Sequence, residues 1–305
     1  MTKKRFRAYV FLLLVSLIWG AASPVVKYAL QWFDPLTFLT YRFAISALTA
    51  LGIFALWPVS VPKKSGVRTL IAITMMLSAP LAIGLFFFAL DKTSALSGGL
   101  LTAGEPLFIV LGGVLMFRDV ISPIEKLGIV ITLLGTVIAA LGPLVFNHTA
   151  NQLGSVEGNL IMILAVMSDM FAALLTKLAL KKHVSASLLA HGQFIFAFLL
   201  FVPILLIRIP LLTVFGELVN APLPAHLAVL FMALASGSLA YYLRNVATDA
   251  IEVSEMALFY YLQPVWAAIL AVLWLHESIT TSYIVGAVVI TMGVMIAEYR
   301  RRARR

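Results

Sequence analysis

The stretch DKTSALSGGLLTAGEPLFIVLGGVLMFRDVISPIEKLGIVITLLG, residues 91–135, occurs a second time in the chain in diverged form. It aligns without a gap with residues 249–293, which read DAIEVSEMALFYYLQPVWAAILAVLWLHESITTSYIVGAVVITMG. Identical residues fall in register: Asp91 with Asp249, Pro106 with Pro264, Gly128 with Gly286, and Gly135 with Gly293. Because prolines, loop acids and glycines rarely coincide in one register by chance, we infer that the chain consists of two related halves.

The composition is that of an integral membrane protein. Of the 305 residues, 62% are hydrophobic and only 11% are charged, whereas about a quarter are charged in an average soluble domain. Apolar stretches of about 20 residues, the length that crosses a bilayer, recur along the whole chain. They predict ten transmembrane helices, at 8–30, 35–57, 67–90, 93–117, 123–146, 156–179, 184–207, 225–247, 252–275 and 280–299. The longest break, 208–224, is itself mostly apolar and predicts an interfacial segment.

Five helices in each half make the two halves inverted. An odd number of crossings brings the chain to the opposite side of the membrane, so the second half enters from the other side. A weaker alignment of the first helix with the sixth pairs Lys27 with Lys177. We predict a first repeat at 1–147, a linker at 148–155 and an inverted second repeat at 156–305. Inverted repeats are typical of secondary transporters, whose halves rock around a site near the membrane midplane.

Basic residues indicate the orientation of the chain. The 22 Lys and Arg residues give a formal net charge of +9, and many lie at the two ends, in KKRFR and RRARR. With a cytoplasmic N-terminus, most other basic residues also fall in cytoplasmic segments, which agrees with the positive-inside bias. We therefore predict that both termini are cytoplasmic and face anionic lipid headgroups, and that the charge does not bind nucleic acid. Cysteine is absent, which excludes disulfides and thiol chemistry.

Motifs in both halves also resemble a known family. SLIWGAASPVVKYAL at 16–30, Arg42 in PLTFLTYRFAIS, and the repeated order of acid, small-residue helix, proline, FRD or HES turn and glycine-paired helix are similar to the EamA type of the drug/metabolite transporter superfamily. The resemblance covers nearly the whole chain. It implies an all-α fold of ten helices in a basket-like 5+5 inverted arrangement, a central substrate cavity, and transport of small metabolites, often amino acids moved outward. It does not name a substrate.

Polar residues deep in the predicted helices indicate where a substrate binds. Glu105 lies at the centre of the fourth helix and Asp169 near the centre of the sixth, and intramembrane acids usually mark transport paths. The repeat alignments pair Glu105 with Gln263 and Asp169 with Trp19. Aromatic residues share these helix faces or lie in the eighth helix, and Arg42 lies in the second. The predicted substrate-binding residues are Trp19, Arg42, Glu105, Asp169, Tyr241, Tyr242, Tyr260, Gln263 and Trp266, with Glu105 and Asp169 as candidates for proton coupling.

Each candidate also has a structural explanation. Either acid can pair with Arg42, Lys27 or Lys177, or join two helices as a neutral hydrogen-bonded group. Arg42, about two turns inside the second helix, either binds an anion in the outer part of the cavity or extends toward Asp34 and the surface. The two central prolines predict bent or broken helices at cavity depth, or packing kinks. These prolines are Pro106 and Pro264.

Sequence motifs of ATPases and metalloproteases are absent. No G-x-x-x-x-G-K-[ST] loop occurs, so we predict transport along a gradient or downhill, without ATP. HESIT at 276–280 lacks the second histidine of H-E-x-x-H. We predict a protein that is not an enzyme and that uses no metal, cofactor or catalytic residue.

The sequence favours a secondary transporter in a bacterial cytoplasmic membrane that exports small metabolites, with amino acids or related zwitterions as the leading class. A zwitterion suits a cavity with acids, aromatic rings and one arginine. An exporter of lipophilic cations is the alternative, because aromatic rings and Glu105 would contact such cations. A nucleotide-sugar or phosphate-ester carrier would require more basic residues in the cavity, and an intramembrane aspartyl enzyme would not require inverted repeats. The oligomeric state stays open.

Overall fold

The computed structural model describes residues 3–102, 104–105, 112, 123–145, 155–250, 259–279 and 281–303. Every regular element in this part of the chain is a helix, which confirms the predicted all-α fold. Ten helices coincide with the ten predicted transmembrane stretches and are numbered in that order. They are Lys4–Ala29, Pro35–Leu56, Ser65–Lys92, Ala95–Thr102, Pro123–Val145, Val156–Lys181, Ala186–Arg208, Leu223–Ala250, Gln263–Leu275 and Thr281–Ala303.

Six of these helices, the first to third and the sixth to eighth, are long and apolar enough to cross a membrane. Their 22 to 28 residues correspond to about 33 to 42 Å at 1.5 Å per residue, and the hydrocarbon core is about 30 Å thick. The predicted boundaries of these six helices differ from the observed ones by up to four residues, and the third and eighth helices extend past the predicted apolar stretch at both ends. About half of the predicted fourth stretch, 93–117, and nearly all of the predicted linker, 148–155, lie outside the described residues.

A short amphipathic helix, Leu211–Asn220, connects the seventh and eighth helices. It buries Val214 and exposes large apolar side chains, which suits a helix lying in the membrane interface. Oε2 of Glu217 accepts a hydrogen bond from the backbone N–H of Asp34 at 3.1 Å. The predicted interfacial segment is therefore a helix anchored to the start of the second helix.

The third and eighth helices each contain a π-helical segment, Leu77–Ile83 and Phe231–Leu239. The two segments overlap in the repeat alignment. In the third helix the segment contains Pro80, whose missing N–H the wider turn accommodates. Because π turns often occur at functional sites, both segments are candidates for lining a functional site between the halves.

Two repeat-related glycines let the fifth and tenth helices cross at backbone contact. A Cβ atom on Gly135 would lie 2.7 Å from the backbone N of Ile290, and one on Gly293 would lie 2.6 Å from the backbone N of Thr132. Ile290 and Thr132 are themselves related by the repeat alignment. The crossing is therefore symmetric, and any side chain at either glycine would separate the two helices.

Two repeat-related lysines show that the halves are inverted. Nζ of Lys27 donates to the carbonyl of Leu90 at 2.8 Å, and Nζ of Lys177 donates to the carbonyl of Thr248. The sixth helix runs from one of these contacts to the other. Its Glu157 forms a salt bridge with Lys92, at the end of the third helix, and its Lys177 donates to Thr248, near the end of the eighth. Twenty residues of helix separate Glu157 from Lys177, about 30 Å. The related ends of the third and eighth helices therefore lie at opposite ends of the bundle.

Candidate functional site

A cavity lies between the two halves of the bundle. It offers about 100 Å³ to the centres of water molecules, whereas one buried water needs roughly 10 to 15 Å³ by that measure, so a small organic molecule fits. The first four helices contribute one part of its wall, and the sixth, eighth and ninth contribute the other. The lining residues are Trp19, Ala22, Ser23, Arg42, Ala82, Ile83, Phe86, Thr102, Glu105, Ala165, Val166, Asp169, Met232, Ser236, Tyr241 and Gln263.

Glu105 and Asp169 bring together one carboxyl group from each half. The two carboxyl groups are neighbours in the cavity wall, and neighbouring carboxyl groups favour the retention of one proton. Oε1 of Glu105 and Oδ1 of Asp169 are buried without a hydrogen-bond partner among the described residues. The pair therefore has two unused acceptor atoms, which suit a donor such as an ammonium group.

Arg244, on the eighth helix, completes the acidic cluster. Its Nη1 lies 3.6 Å from Oδ2 of Asp169. Its guanidinium carbon lies 4.6 Å from the ring centre of Tyr241 and 5.4 Å from that of Trp19. With one shared proton, Glu105, Asp169 and Arg244 carry no net charge, and without that proton they carry one negative charge. The cluster can therefore exchange a proton for a substrate cation without a change in total charge.

Sequence reasoning missed Arg244. The residue lies close to the end of the predicted eighth helix at 225–247, where a basic side chain ordinarily reaches the surface. In the structure the side chain is only 3% exposed. The available signal was its position three residues after Tyr241, which places both residues on one helix face.

Arg42 lines the same cavity without an acidic partner. No carboxylate in the described part of the chain lies within salt-bridge distance of it, and its Nε is buried without an acceptor. Its guanidinium carbon lies 5.3 Å from the ring centre of Phe87 and 5.8 Å from that of Phe43. Because a buried charge without a counter-ion is unfavourable, Arg42 is a candidate site for a substrate anion.

The expectation that Arg42 extends to the surface is wrong, since the residue is 2% exposed. Asp34 instead caps the second helix, where its Oδ1 accepts from the backbone N–H of Leu36 at 2.8 Å. Because the Asp34 carboxylate is bound to the backbone of its own helix, the Arg42 guanidinium stays inside the bundle.

Trp19, in the first half, is held in a fixed orientation against the second half. Its Nε1 donates to the carbonyl of Ser236, in the π segment of the eighth helix, at 2.9 Å. Its ring meets those of Tyr241 and Tyr260 edge to face, at centroid distances of 5.0 and 5.8 Å. The indole therefore forms a rigid aromatic wall beside the carboxyl pair.

Comparison with known proteins identifies the family. The model of the EamA-like transporter family matches residues 6–141 and again 156–299. This chain belongs to the EamA-like transporter family. The double match also agrees with the repeat read from the sequence.

Relatives of this EamA-like transporter are named as transporters without a substrate. The chain is 26% identical over 298 residues to the uncharacterized transporter YyaM of Bacillus subtilis, covering 97% of this chain and 94% of that one. It is 25% identical over 301 residues to an uncharacterized transporter of Archaeoglobus fulgidus, with coverages of 97% and 87%. A crystal structure with a TM-score of 0.68 and 16% identity covers 98% of both chains, and it shows the fold alone. The protein is therefore a membrane transporter whose substrate class the comparisons leave open.

Six of the nine predicted binding residues line the cavity of this transporter: Trp19, Arg42, Glu105, Asp169, Tyr241 and Gln263. The other three lie behind or beside that wall in the described structure. Tyr242 is 38% exposed and stacks on His191 at a centroid distance of 5.9 Å. Tyr260 is buried behind Trp19, in hydrogen-bond contact with Arg244. Trp266 packs where the ninth helix crosses the first at Gly20.

The remaining predictions concern prolines and lysines. The ninth helix begins at Gln263, and Pro264 lies in its first turn, where proline's missing N–H has no helical partner to lose. Pro106 lies outside the described residues. Lys27 and Lys177 bind carbonyls at helix ends, and neither forms a salt bridge with Glu105 or Asp169 within the described structure. Among the described residues, no cluster of three His, Asp or Glu side chains could hold a metal ion.

Proposed function

We propose that this EamA-like transporter exports amino acids or related zwitterions by alternating access. One observation carries the proposal: an unpaired guanidinium, Arg42, and a carboxyl pair with unused acceptors, Glu105 and Asp169, line one cavity. A zwitterion supplies the group that each lacks. Its carboxylate would bind Arg42, for which a planar fork of donors is suited. Its ammonium group would bind the carboxyl pair.

Both halves contribute residues to the proposed binding site, which suits alternating access. Arg42 and Glu105 belong to the first half, whereas Asp169, Arg244 and Gln263 belong to the second. Substrate bound between them would join the halves, and rocking of one half against the other would open the cavity to either side in turn. Because neighbouring carboxyl groups favour the retention of one proton, an entering ammonium group would replace that proton and thereby couple transport to a proton gradient.

The proposal places the protein in a bacterial cytoplasmic membrane with both termini in the cytoplasm. The distribution of Lys and Arg supports this orientation. The basic ends would then face anionic headgroups. The outward direction of transport is supported by the resemblance to EamA-type exporters.

A second candidate function is the export of lipophilic cations. The edge-to-face rings of Trp19 and Tyr241 beside a carboxyl pair favour it. A cation offers no partner for Arg42, however, and it adds a like charge to the same cavity. We therefore rank it below zwitterion transport. A phosphate-ester carrier is disfavoured because the described lining contains a single unpaired basic side chain.

A substrate panel in proteoliposomes tests the proposed function. Uptake would be measured for free amino acids, their amides, the decarboxylated amines and lipophilic cations, with and without an imposed proton gradient. Arg68→Ala removes an exposed arginine outside the cavity and is the matched control for Arg42→Met in this assay. We expect free amino acids to be transported and amides and amines to be poor substrates. Efficient transport of lipophilic cations with no transport of amino acids would favour the second candidate.

A further inference from the structure

A second cleft lies at the end of the bundle that carries the N-terminus, away from the substrate cavity. It has a volume of about 390 Å³. The start of the first helix forms one wall, the turn between the sixth and seventh helices forms another, and the end of the eighth helix forms the third. Its lining residues are Lys4, Arg7, Ala8, Phe11, Leu180, His183, Val184, Ala186, Val246, Asp249 and Ala250. It shares no lining residue with the substrate cavity.

The rim of the cleft is basic. Lys4 and Arg7 lie one helical turn apart on the same face and are both exposed. Within the described chain neither forms a salt bridge, and Asp249 is the one acid among the described lining residues. The guanidinium carbon of Arg7 lies 4.9 Å from the ring centre of Phe11, which directs the arginine along the cleft wall. An anion would therefore find two uncompensated cations in a preformed recess.

Backbone groups add to the positive potential. The seventh helix begins at Ala186, which lines the cleft, and its preceding residue Ser185 makes no side-chain cap. The uncapped N–H groups of a helix start, with the positive end of the helix dipole, attract anions. His183, held in a left-handed backbone conformation with φ of 59°, ends the sixth helix at the same rim. Lys4, Arg7 and the start of the seventh helix thus approach one recess from two helices.

The floor and surroundings of the cleft are apolar. Ala8, Phe11, Val184 and Val246 form its inner surface. Beside it, the face of the first helix that continues from Arg7 is apolar and exposed, with Val10 40% exposed and Leu14 45% exposed. A ligand that fits both features is an amphiphile, with an anionic head for the rim and chains that follow the first helix into the bilayer.

We propose that this cleft binds the phosphate headgroup of an anionic phospholipid. Basic pockets between transmembrane helices at a membrane surface bind such headgroups. The phosphate lies between Lys4 and Arg7, near the start of the seventh helix, and the acyl chains lie along the apolar face of the first helix. Asp249 lies on the other wall of the cleft and weakens this binding by repulsion.

Native mass spectrometry of the purified protein in detergent tests the proposal. Bound lipid would be counted during titration with phosphatidylglycerol and, separately, with phosphatidylcholine, and inorganic phosphate would be added in a third arm. Lys4→Ala/Arg7→Ala removes the two cations of the cleft. Lys63→Ala/Lys64→Ala is the matched control, because it removes two exposed lysines near the same end of the bundle but outside the cleft. Asp249→Asn keeps both cations and removes the acid.

The expected result is one tightly held phosphatidylglycerol on the wild-type protein and on the control, with weaker binding of phosphatidylcholine. Lys4→Ala/Arg7→Ala should weaken phosphatidylglycerol binding about tenfold or more, since each basic residue near anionic lipid contributes roughly a factor of five. Asp249→Asn should strengthen it. This opposite change keeps the test decisive if the double variant folds poorly.

Three results would overturn the proposal. Equal losses in the cleft variant and the control would mean general attraction to basic residues at that end of the bundle. Equal binding of the two lipids would show that the headgroup charge is not recognised. Displacement of phosphatidylglycerol by inorganic phosphate at similar concentration would identify a soluble anion, and not a lipid, as the ligand.

Discussion

Arg244 on the eighth helix lies 3.6 Å from Asp169 on the sixth, and Asp169 lies beside Glu105 of the fourth helix in the cavity wall. Asp169 is therefore held between a permanent cation and a second acid. The two acids therefore differ: Asp169 has a counter-ion, whereas Glu105 forms no salt bridge among the described residues. A substrate ammonium group would compete most directly for Glu105.

Removal of Arg244 should destabilise the fold. Arg244→Leu leaves Asp169 without its cation, and breaking a fully buried pair costs about 3 to 5 kcal/mol. Asp169 is 17% exposed, so we expect a smaller loss, measured as a lower midpoint of thermal unfolding in detergent. The double variant Arg244→Leu/Asp169→Leu should recover much of that loss but not transport. If the double variant is less stable than the single one, the pair does not stabilise Asp169 in this way.

Substitution of Arg42 should impair transport without lowering stability. Because Arg42 has no acidic partner in the described structure, Arg42→Met removes an uncompensated buried charge and should leave the unfolding midpoint unchanged or raised. Transport of carboxylate-bearing substrates should fall at least tenfold. Both quantities would be measured on the same purified protein. A large loss of stability together with normal transport per folded molecule would make Arg42 a structural residue.

The crossing of the fifth and tenth helices predicts opposite effects for two glycine substitutions. A Cβ on Gly293 would lie 2.6 Å from a backbone atom of the fifth helix, whereas nothing lies within 4 Å of one on Gly52. Gly293→Ala should therefore destabilise the protein by about 1 to 3 kcal/mol through overpacking. Gly52→Ala should stabilise it by roughly 0.5 to 1 kcal/mol, because alanine is the better helix former. Equal effects in thermal unfolding would show that the two helices do not cross this closely.

The inverted repeat predicts the labelling pattern of two homologous acids. Single cysteines at Asp91 and Asp249, in a chain that has no natural cysteine, should react with an impermeant maleimide from opposite sides of the membrane. Lys64→Cys should react from the same side as Asp249→Cys, the cytoplasmic side. Labelling of Asp91→Cys and Asp249→Cys from the same side would contradict the inverted arrangement.

Much of this fold follows from local signals in the sequence. Hydropathy predicts where helices lie, and the gapless alignment that pairs Gly135 with Gly293 predicts a symmetric contact that the structure contains. The repeat alignments also pair Glu105 with Gln263 and Asp169 with Trp19, and all four residues line the cavity, as expected for residues near the helix centres. These features depend on spacing along one helix or on the repeat, which the sequence records directly.

Side-chain directions in the eighth helix could not be predicted in the same way. Sequence reasoning named Tyr241 and Tyr242 alike because both lie in the eighth helix, and the π segment Phe231–Leu239 has wider turns that shift the phase of the residues after it. Tyr241 consequently lines the cavity, Tyr242 does not, and Arg244 is buried next to Asp169. A phase shift of this kind depends on tertiary packing and has no clear sequence signal.

Glu105 should control the pH dependence of transport. Glu105→Gln keeps the size and hydrogen-bonding ability of the side chain but cannot release a proton. We expect it to fold, to lose most transport of amine-bearing substrates, and to show little pH dependence between about pH 5 and 8. Asp169→Asn should have a smaller effect on transport than Glu105→Gln, although it also leaves Arg244 unpaired. Normal transport by Glu105→Gln across this range, with unfolding of Glu105→Ala, would make the glutamate a neutral strut.

The most direct test of zwitterion binding combines these variants with matched ligands. Affinity would be measured by calorimetry for a transported amino acid, its amide and its analogue without the amino group, against wild type, Arg42→Met and Glu105→Gln. We predict that Arg42→Met weakens binding of the amino acid at least tenfold but hardly changes binding of the amide, which has no carboxylate. We also predict that Glu105→Gln weakens binding of the amino acid but not binding of the analogue without the amino group. Equal weakening of all three ligands by either variant would contradict the assignment of one pole to each charge of the substrate.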